Sequence, residues 1–506
     1  MSTIILRSKP GIKRDGTKFD GDYYTDGRWV RMQRGLPRKI GGYRAVSKRL
    51  SEISRGFTSI TRQSLQYCHS GGPSKLESFT LDSGKNSSTI HDRTPSGMTV
   101  SADNRWMFSY AYDPSATATA IIAHVAPNGS CACNDVGGAI YQGDAFGTSP
   151  LTAVTLPAGA NATGGVVMLH PYLFYYGSDG VVGWSVAGSP SDLTGSGSGI
   201  ARVWGQKIIK GMPLRAGSGS APAGLFWAYD AVIRASFTGG STVFQFDTIA
   251  TDTSIISADS VVEYDGVFFW CGVDRFQMFN GVVRDVPNQM NLNWFFDGLN
   301  PAQRSKVFAF KVTRYGEIWW CYPRGSATEC THAVIYNVRE DSWYDTELPS
   351  DGRSSGQFNN AYAAPILVGT TQHSTGYKVW VHEQGVDEID GTGVFPVQSY
   401  FETADLSSLI QGQNSMLRVT MIEPDFIQSG DMVVTVTGRA NARAPEIYGT
   451  PVTFADEPVT PYEQVVVLRE QRRELRARFE SNVVGGDYQM GQIIAHIETG
   501  DGTVLG

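Results

Sequence analysis

One pattern constrains this chain more than any other. A short strand dense in aromatic and β-branched residues is followed by a polar turn and a second strand, and the unit recurs from about residue 50 to residue 395. The copies are Trp106-Met107-Phe108-Ser109-Tyr110; Leu173-Phe174-Tyr175-Tyr176 with Val181-Val182-Gly183-Trp184; Leu225-Phe226-Trp227-Ala228-Tyr229; Val267-Phe268-Phe269-Trp270-Cys271; and Ile318-Trp319-Trp320-Cys321-Tyr322 with Ala333-Val334-Ile335-Tyr336. A weaker copy is Ile366-Leu367-Val368 with Tyr377-Lys378-Val379-Trp380-Val381. The markers Trp106, Phe174, Phe226, Phe268, Trp319 and Leu367 are spaced by 68, 52, 42, 51 and 48 residues.

A period near 40–50 residues with several short strands per unit is that of a β-propeller blade. One four-stranded blade cannot bury both of its faces alone. A closed ring of blades buries each face against a neighbour and leaves only short edges. The spacing predicts six blades, within a range of five to seven.

Composition agrees with an all-β fold. Glycine is 57 of 506 residues, well above a typical ~7%, and aromatic residues make up 11%. Hydrophobic residues at 41% and charged residues at 18% exclude a disordered chain, and the glycine argues against a helical bundle. A chain of this length has a prior of about three domains. Helix signals are scarce; Asn300-Pro301 reads as an N-cap with proline at the first helical position.

Residues 1–45 are basic and glycine-punctuated, with too little apolar material for a core of their own. They are expected to lie on the fold as an arm. Residues 46–395 form the propeller. Residues 396–506 lose the aromatic hairpin and carry five strands, such as Met432-Val433-Val434-Thr435-Val436-Thr437 and Leu475-Arg476-Ala477-Arg478-Phe479-Glu480. This stretch reads as a separate β-sandwich or open barrel.

The net charge of −7 is uneven: +9 over residues 1–50 and −16 over the rest. A basic arm on an acidic body reads either as an interaction segment or as a solvated edge strand. Arg469, Arg472, Arg473, Arg476 and Arg478 crowd a second basic stretch. Arginine forks suit carboxylate and phosphate partners, with a solvated sheet face as the plain alternative. Arg28, Arg31, Arg34, Arg38, Lys39, Arg472, Arg473, Arg476 and Arg478 are therefore the candidate contacts to a neighbouring subunit or to DNA.

Fragments of catalytic and metal motifs do not assemble. His382-Glu383 lacks a second histidine four residues on, where Val386 stands, and Gly385 disfavours a helix, so a turn after a strand is expected. Cys131-Ala132-Cys133 has two thiolates where a structural zinc needs four ligands. Gly195–Gly199 and Gly217–Ser220 lack the lysine of a phosphate-binding loop and read as flexible loops. No cofactor and no enzymatic activity are expected. Cys271 and Cys321 read as buried small hydrophobes, and six cysteines are too few for a disulfide framework. No apolar run reaches 18 residues, and Met1–Lys9 is too short for a signal-peptide core, so no membrane insertion is expected and the chain is expected in the cytosol.

Three stretches together resemble a known family. Phe19-Asp20-Gly21, Trp29-Val30-Arg31 and Gly35-Leu36-Pro37-Arg38-Lys39-Ile40-Gly41-Gly42-Tyr43 resemble the opening of the nozzle proteins of short-tailed phages. Trp319-Trp320, Val334-Ile335-Tyr336-Asn337 and Trp343-Tyr344 resemble their blade repeat. Arg472-Arg473-Glu474-Leu475-Arg476-Ala477-Arg478-Phe479, followed by a last strand at 490–497, resembles the end of the packaged-DNA stabilisation, or tail hub, proteins. The resemblance implies a structural virion component of the tail, assembled in the host cytoplasm. In the family six copies form a ring below the portal and adaptor. The ring continues the DNA channel, helps retain the packaged genome and carries a tail needle, fibres or spike. An acidic body suits such a conduit, since a basic lumen would bind phosphate tightly. The alternatives are a propeller that binds or degrades glycans, such as a phage depolymerase or lectin, and a solitary adhesion module.

Overall fold

In the computed structural model the regular elements of the described residues are nearly all strands, with few and short helices. The structure describes residues 2–18, 21–113, 118–127, 138–214, 221–240, 242–349, 351–409, 416–457, 459–460 and 465–500. The Cys131/Cys133 pair, the Gly217–Ser220 stretch and the glutamine-rich 411–413 lie outside them.

The described residues form a ring of seven blades, six of them four-stranded and the seventh extended beyond its four blade strands by Glu388–Ile389 and Val394–Phe395. Blades 1 to 6 are consecutive antiparallel meanders spanning 57–92, 104–153, 165–202, 208–250, 262–285 and 308–347. Blade 7 takes Ser355–Asn359, Ala364–His373 and Gly376–His382 from one end of the propeller and Tyr43–Leu50 from the other. The registers Val381↔Arg44 and Tyr377↔Leu50 close the ring non-covalently. The first strand of each blade is innermost, and Ser355–Asn359 packs beside Phe57–Arg62 to complete the circle.

Trp106–Tyr110 belongs to the innermost strand of blade 2, but in blades 3 to 6 the aromatic strands sit second, where both faces are covered. This explains why they read as continuous apolar runs rather than as an alternation. Phe226 packs on Phe174 of blade 3, ring centroids 5.7 Å apart, while its neighbour Trp227 packs on Trp270 of blade 5 at the same distance. Trp319 and Trp320 divide in the same way between two apolar clusters. Each such strand therefore feeds two inter-blade cores.

Seven blades lie at the upper end of the predicted range rather than at six. The six markers, five aromatic and Leu367, fall one in each of blades 2 to 7. Blade 1 has no aromatic doublet; its second strand, Leu65–Gly71, carries Tyr67-Cys68-His69 where those of blades 3 to 6 carry paired aromatic residues. Cys68, Cys271, Cys321 and Cys330 are buried and unbridged. Asn300 caps a 3₁₀ helix, Pro301–Lys306, by accepting from the amide of Ala302. The α-helix Leu292–Gly298 just before it carried no sequence signal.

Residues 1–45 are not an arm. Their strands are built into the C-terminal β unit. Ser2–Leu6 pairs with Ile493–Thr499, Asp26–Arg28 with Ser399–Glu402, and Leu36–Lys39 with Asp487–Met490. The short segment lacks a core because it borrows one from the other end of the chain. Nor does it end at residue 45, since Tyr43–Leu50 crosses that boundary into blade 7.

This terminal unit holds three main sheets among the described residues. It is not a separate layer either. One apolar cluster runs from Phe401, Phe479 and Ile493 to Trp319, Tyr344 and Trp380 of blades 6 and 7. The outer strand of blade 6, Ser342–Glu347, is buried almost throughout, whereas the outer strands of blades 2, 3 and 5 are largely exposed. Lys9–Ile12 and Asp26–Arg28 cover it. Gly11, at φ +113°, allows that approach: a Cβ there would stand 3.0 Å from the Trp343 carbonyl oxygen.

Candidate functional site

Of the basic residues singled out from the sequence, Arg28, Arg31, Arg34 and Arg38 lie at the seam between the terminal unit and the propeller, and Lys39, Arg472, Arg476 and Arg478 find their partners within the terminal unit. Arg31 is fully buried on Val30–Gln33. Its Nε lies 2.9 Å from Glu317 Oε1. Its Nη2 donates to Glu383 Oε1 at 2.5 Å, and its Nη1 to Glu383 Oε2 at 3.1 Å. The guanidinium stacks 3.6 Å over the Tyr315 ring. Glu317 also accepts from the Tyr344 hydroxyl (2.7 Å) and Trp319 Nε1 (2.9 Å). Burial raises the Glu317 carboxyl above the usual range while Arg31 opposes the shift.

Glu383 thus serves the fold. His382 ends the last blade strand and Glu383 follows in a turn at φ +56°. The His382 ring accepts from Arg353 Nε at 2.9 Å. Burial, then the Arg353 charge, hold its pKa far below the ordinary value.

Two further arginines work in the same way. Arg476 is fully buried, with Glu402 at 2.6 Å, Glu446 at 2.8 Å and the Thr25 hydroxyl at 3.2 Å. Arg14, which drew no notice in the sequence, joins Asp26 of its own segment to Asp345 of blade 6. Lys39 is buried and donates to the Gly486 carbonyl at 2.6 Å. Burial pushes its pKa down to about 8, against the pull of Asp387 and Asp487.

Arg31, Lys39 and Arg476 therefore cannot be surface contacts. Burying an arginine requires charged and hydrogen-bonding partners, and theirs lie within the chain. The others are partly or wholly accessible. Arg28 meets Gln398 and Glu347, each at 3.1 Å. Arg38 donates to Gln33 at 2.8 Å, and Arg472 stands 3.3 Å from Glu470. Arg478 stacks 3.5 Å over Tyr400 and reaches Glu480 at 3.2 Å, sharing its face of the strand as the alternation implied. Arg473 is half-buried, and Arg34 is exposed.

The second site is the central channel. The seven innermost strands enclose a cavity of about 440 Å³. That is within the range of small-molecule pockets, roughly 300–1,000 Å³. Lys210 and Asp259 face each other at 3.6 Å, and Lys311 and Glu263 at 3.1 Å, all on the blade 4–6 side. Phe108, Met168 and Met212 supply apolar wall. Sequence reasoning missed these residues because the partners of each pair, Lys210 with Asp259 and Lys311 with Glu263, come from different blades. Among the described residues no group of three or more His, Cys, Asp or Glu side chains could hold a metal ion. No helix among them is long and apolar enough to cross a membrane.

No family model matches the chain, and no curated protein matches it. Similar solved structures include the WD40 β-propeller domain of Doa1 (12% identity, TM-score 0.41, covering 68% of this chain and 98% of that one). The WD40 repeats of RRP9 (9%, 0.43, 68% and 99%) and the structure of U3-55K (10%, 0.42, 67% and 98%) are others. At these values the likeness is one of architecture and says nothing of function.

Proposed function

We propose that this protein is a structural, non-enzymatic component of a virion tail. In this reading it is a nozzle or hub ring of a short-tailed phage, built in the host cytoplasm. Six copies stand below the portal and adaptor, continue the DNA channel, help retain the genome and anchor a needle, fibres or spike. The duplex would pass through the lumen of the ring of copies, since the channel inside one propeller has the volume of a small-molecule pocket.

The observation that carries the reading is the edges of the terminal unit. Four strands at the ends of its sheets each present a large apolar side chain to solvent: Ile5 (50% exposed) on Ser2–Leu6, Ile427 (76%) on Phe426–Ser429, Tyr448 (63%) on Ile447–Tyr448 and Val467 (60%) on Val466–Arg472. Soluble proteins protect strand edges, because unpaired N–H and C=O groups beside apolar side chains recruit other chains. Edges left in this state suit a part that is completed by its neighbours. The seam supports the same reading, since a propeller closed by its own N-terminal segment and braced by buried ion pairs is a stiff unit.

Cryo-electron microscopy of the virion tests this. A sixfold ring of this chain between portal and needle is the expected image. A single copy, or a trimeric spike at the periphery, would overturn the proposal. So would host polysaccharide degraded by the purified protein.

A further inference from the structure

We infer that the central channel is a binding site for a short, neutral, hydroxyl-rich saccharide chain. This goes beyond the assembly reading and does not depend on it.

Charge decides the class of ligand. The charged wall carries Lys210, Asp259, Glu263 and Lys311, which sum to zero in two ion pairs. A phosphate or carboxylate entering the channel would meet two lysines already neutralised, and an amine would meet two carboxylates in the same state. Neither gains an unmatched countercharge. A neutral polar ligand does not have to break the pairs to be held by them.

The pairs also have the spacing that a sugar requires. Lys311 Nζ and Glu263 Oε2 are 3.1 Å apart, close to the separation of oxygens on neighbouring ring hydroxyls. Every hydroxyl both donates and accepts, so a diol can receive from the ammonium with one oxygen and donate to the carboxylate with the other. Such charge-assisted bonds are stronger than neutral ones. Glu263 is fixed in orientation, since its other oxygen accepts the Gly266 amide at 2.7 Å.

The rest of the channel fits the same ligand. Asp259, in the 3₁₀ turn Ala258–Ser260, and Glu263, on Val262–Tyr264, are four residues apart, less than about 13 Å even for extended backbone, so one saccharide chain can reach both pairs. Phe108, Met168 and Met212 present apolar surface to the C–H faces of the rings. The Ser355 hydroxyl, on the blade 7 wall, is buried and has no hydrogen-bond partner in the protein. A ligand hydroxyl would satisfy it.

Saturation-transfer NMR with cellotriose, maltotriose and chitotriose at millimolar concentration tests the assignment. Ring protons of at least one should receive saturation. Glu263→Gln and Lys311→Met should each weaken that binding tenfold or more. Met212→Trp, which fills the channel without removing a polar group, should abolish it while circular dichroism and thermal midpoint stay near those of the parent. The inference is overturned if none of the three sugars binds, if binding survives Met212→Trp, or if inorganic phosphate binds in the channel where the sugars do not. None of these outcomes bears on the sixfold ring, which the virion image decides separately.

Discussion

Arg31 and Glu383 stand 352 positions apart in the chain and 2.5 Å apart in space. The first belongs to the segment that opens the protein, the second to the turn that ends the propeller. Their contact, with Glu317 beneath it, brings the N-terminal segment, blade 6 and blade 7 to one point.

Removing Arg31 should therefore cost far more than removing its exposed neighbour. Arg31→Met leaves two carboxylates unpaired at the seam and should lower the unfolding free energy by roughly 3–5 kcal/mol. Arg34→Met should stay within about 0.5 kcal/mol. Urea titrations of the two variants give the comparison, and equal losses would show that the seam is not held this way. Adding Glu317→Gln and Glu383→Gln to Arg31→Met should recover part of the loss.

Deleting residues 2–8 tests the weave of the two chain ends. Ile493–Thr499 would lose its partner Ser2–Leu6 and become an edge. Its amides should exchange with deuterium at least tenfold faster, while those of Val267–Cys271 in blade 5 keep their protection. A free arm would leave both unchanged.

The exposed edges predict a different phenotype. Ile427→Lys combined with Tyr448→Lys places charges on edge strands, the device by which proteins block edge pairing. The monomer should keep its thermal midpoint within a few degrees, yet particles should lack tails or leak DNA. Normal particles from this double variant would remove the edges from the assembly argument.

Acid should weaken the fold through its buried histidines. Burial is the main cause holding His124 and His332 at about 4 and His69 at about 3. The folded state keeps them neutral, while the unfolded chain takes up protons near pH 6.5. Their contribution is complete above about pH 6.5 and is lost as pH falls toward 4. At about 1.4 kcal/mol per pH unit, His124 alone accounts for roughly 3 kcal/mol over that window. His124→Gln should flatten the decline of the urea midpoint between pH 6.5 and 4.5 relative to the parent. A decline of unchanged slope would assign it to other groups.

Local information sufficed for the repeat. An aromatic doublet flanked by turns is a property of a few adjacent residues, and burial between two blades demands it wherever it occurs, so Phe226-Trp227, Phe268-Phe269 and Trp319-Trp320 announced the propeller unaided. Blade 1 stayed hidden, and with it the count of seven, because its rings, Phe57, Tyr67 and Phe79, are spread singly over three strands and form no doublet. Nothing local could show that residues 1–45 are strands of the C-terminal unit: pairing such as Ser2↔Ile497 is a relation between distant segments, set by where the closed ring delivers the two chain ends. The same holds for the arginines. Their positive charge was plain in the sequence, but whether it faces a partner or a carboxylate inside the fold depends on Glu317, Glu383, Glu402 and Asp345, which come near only once the blades have packed. The paired charges of the channel likewise exist as a set only because blades 4, 5 and 6 stand side by side.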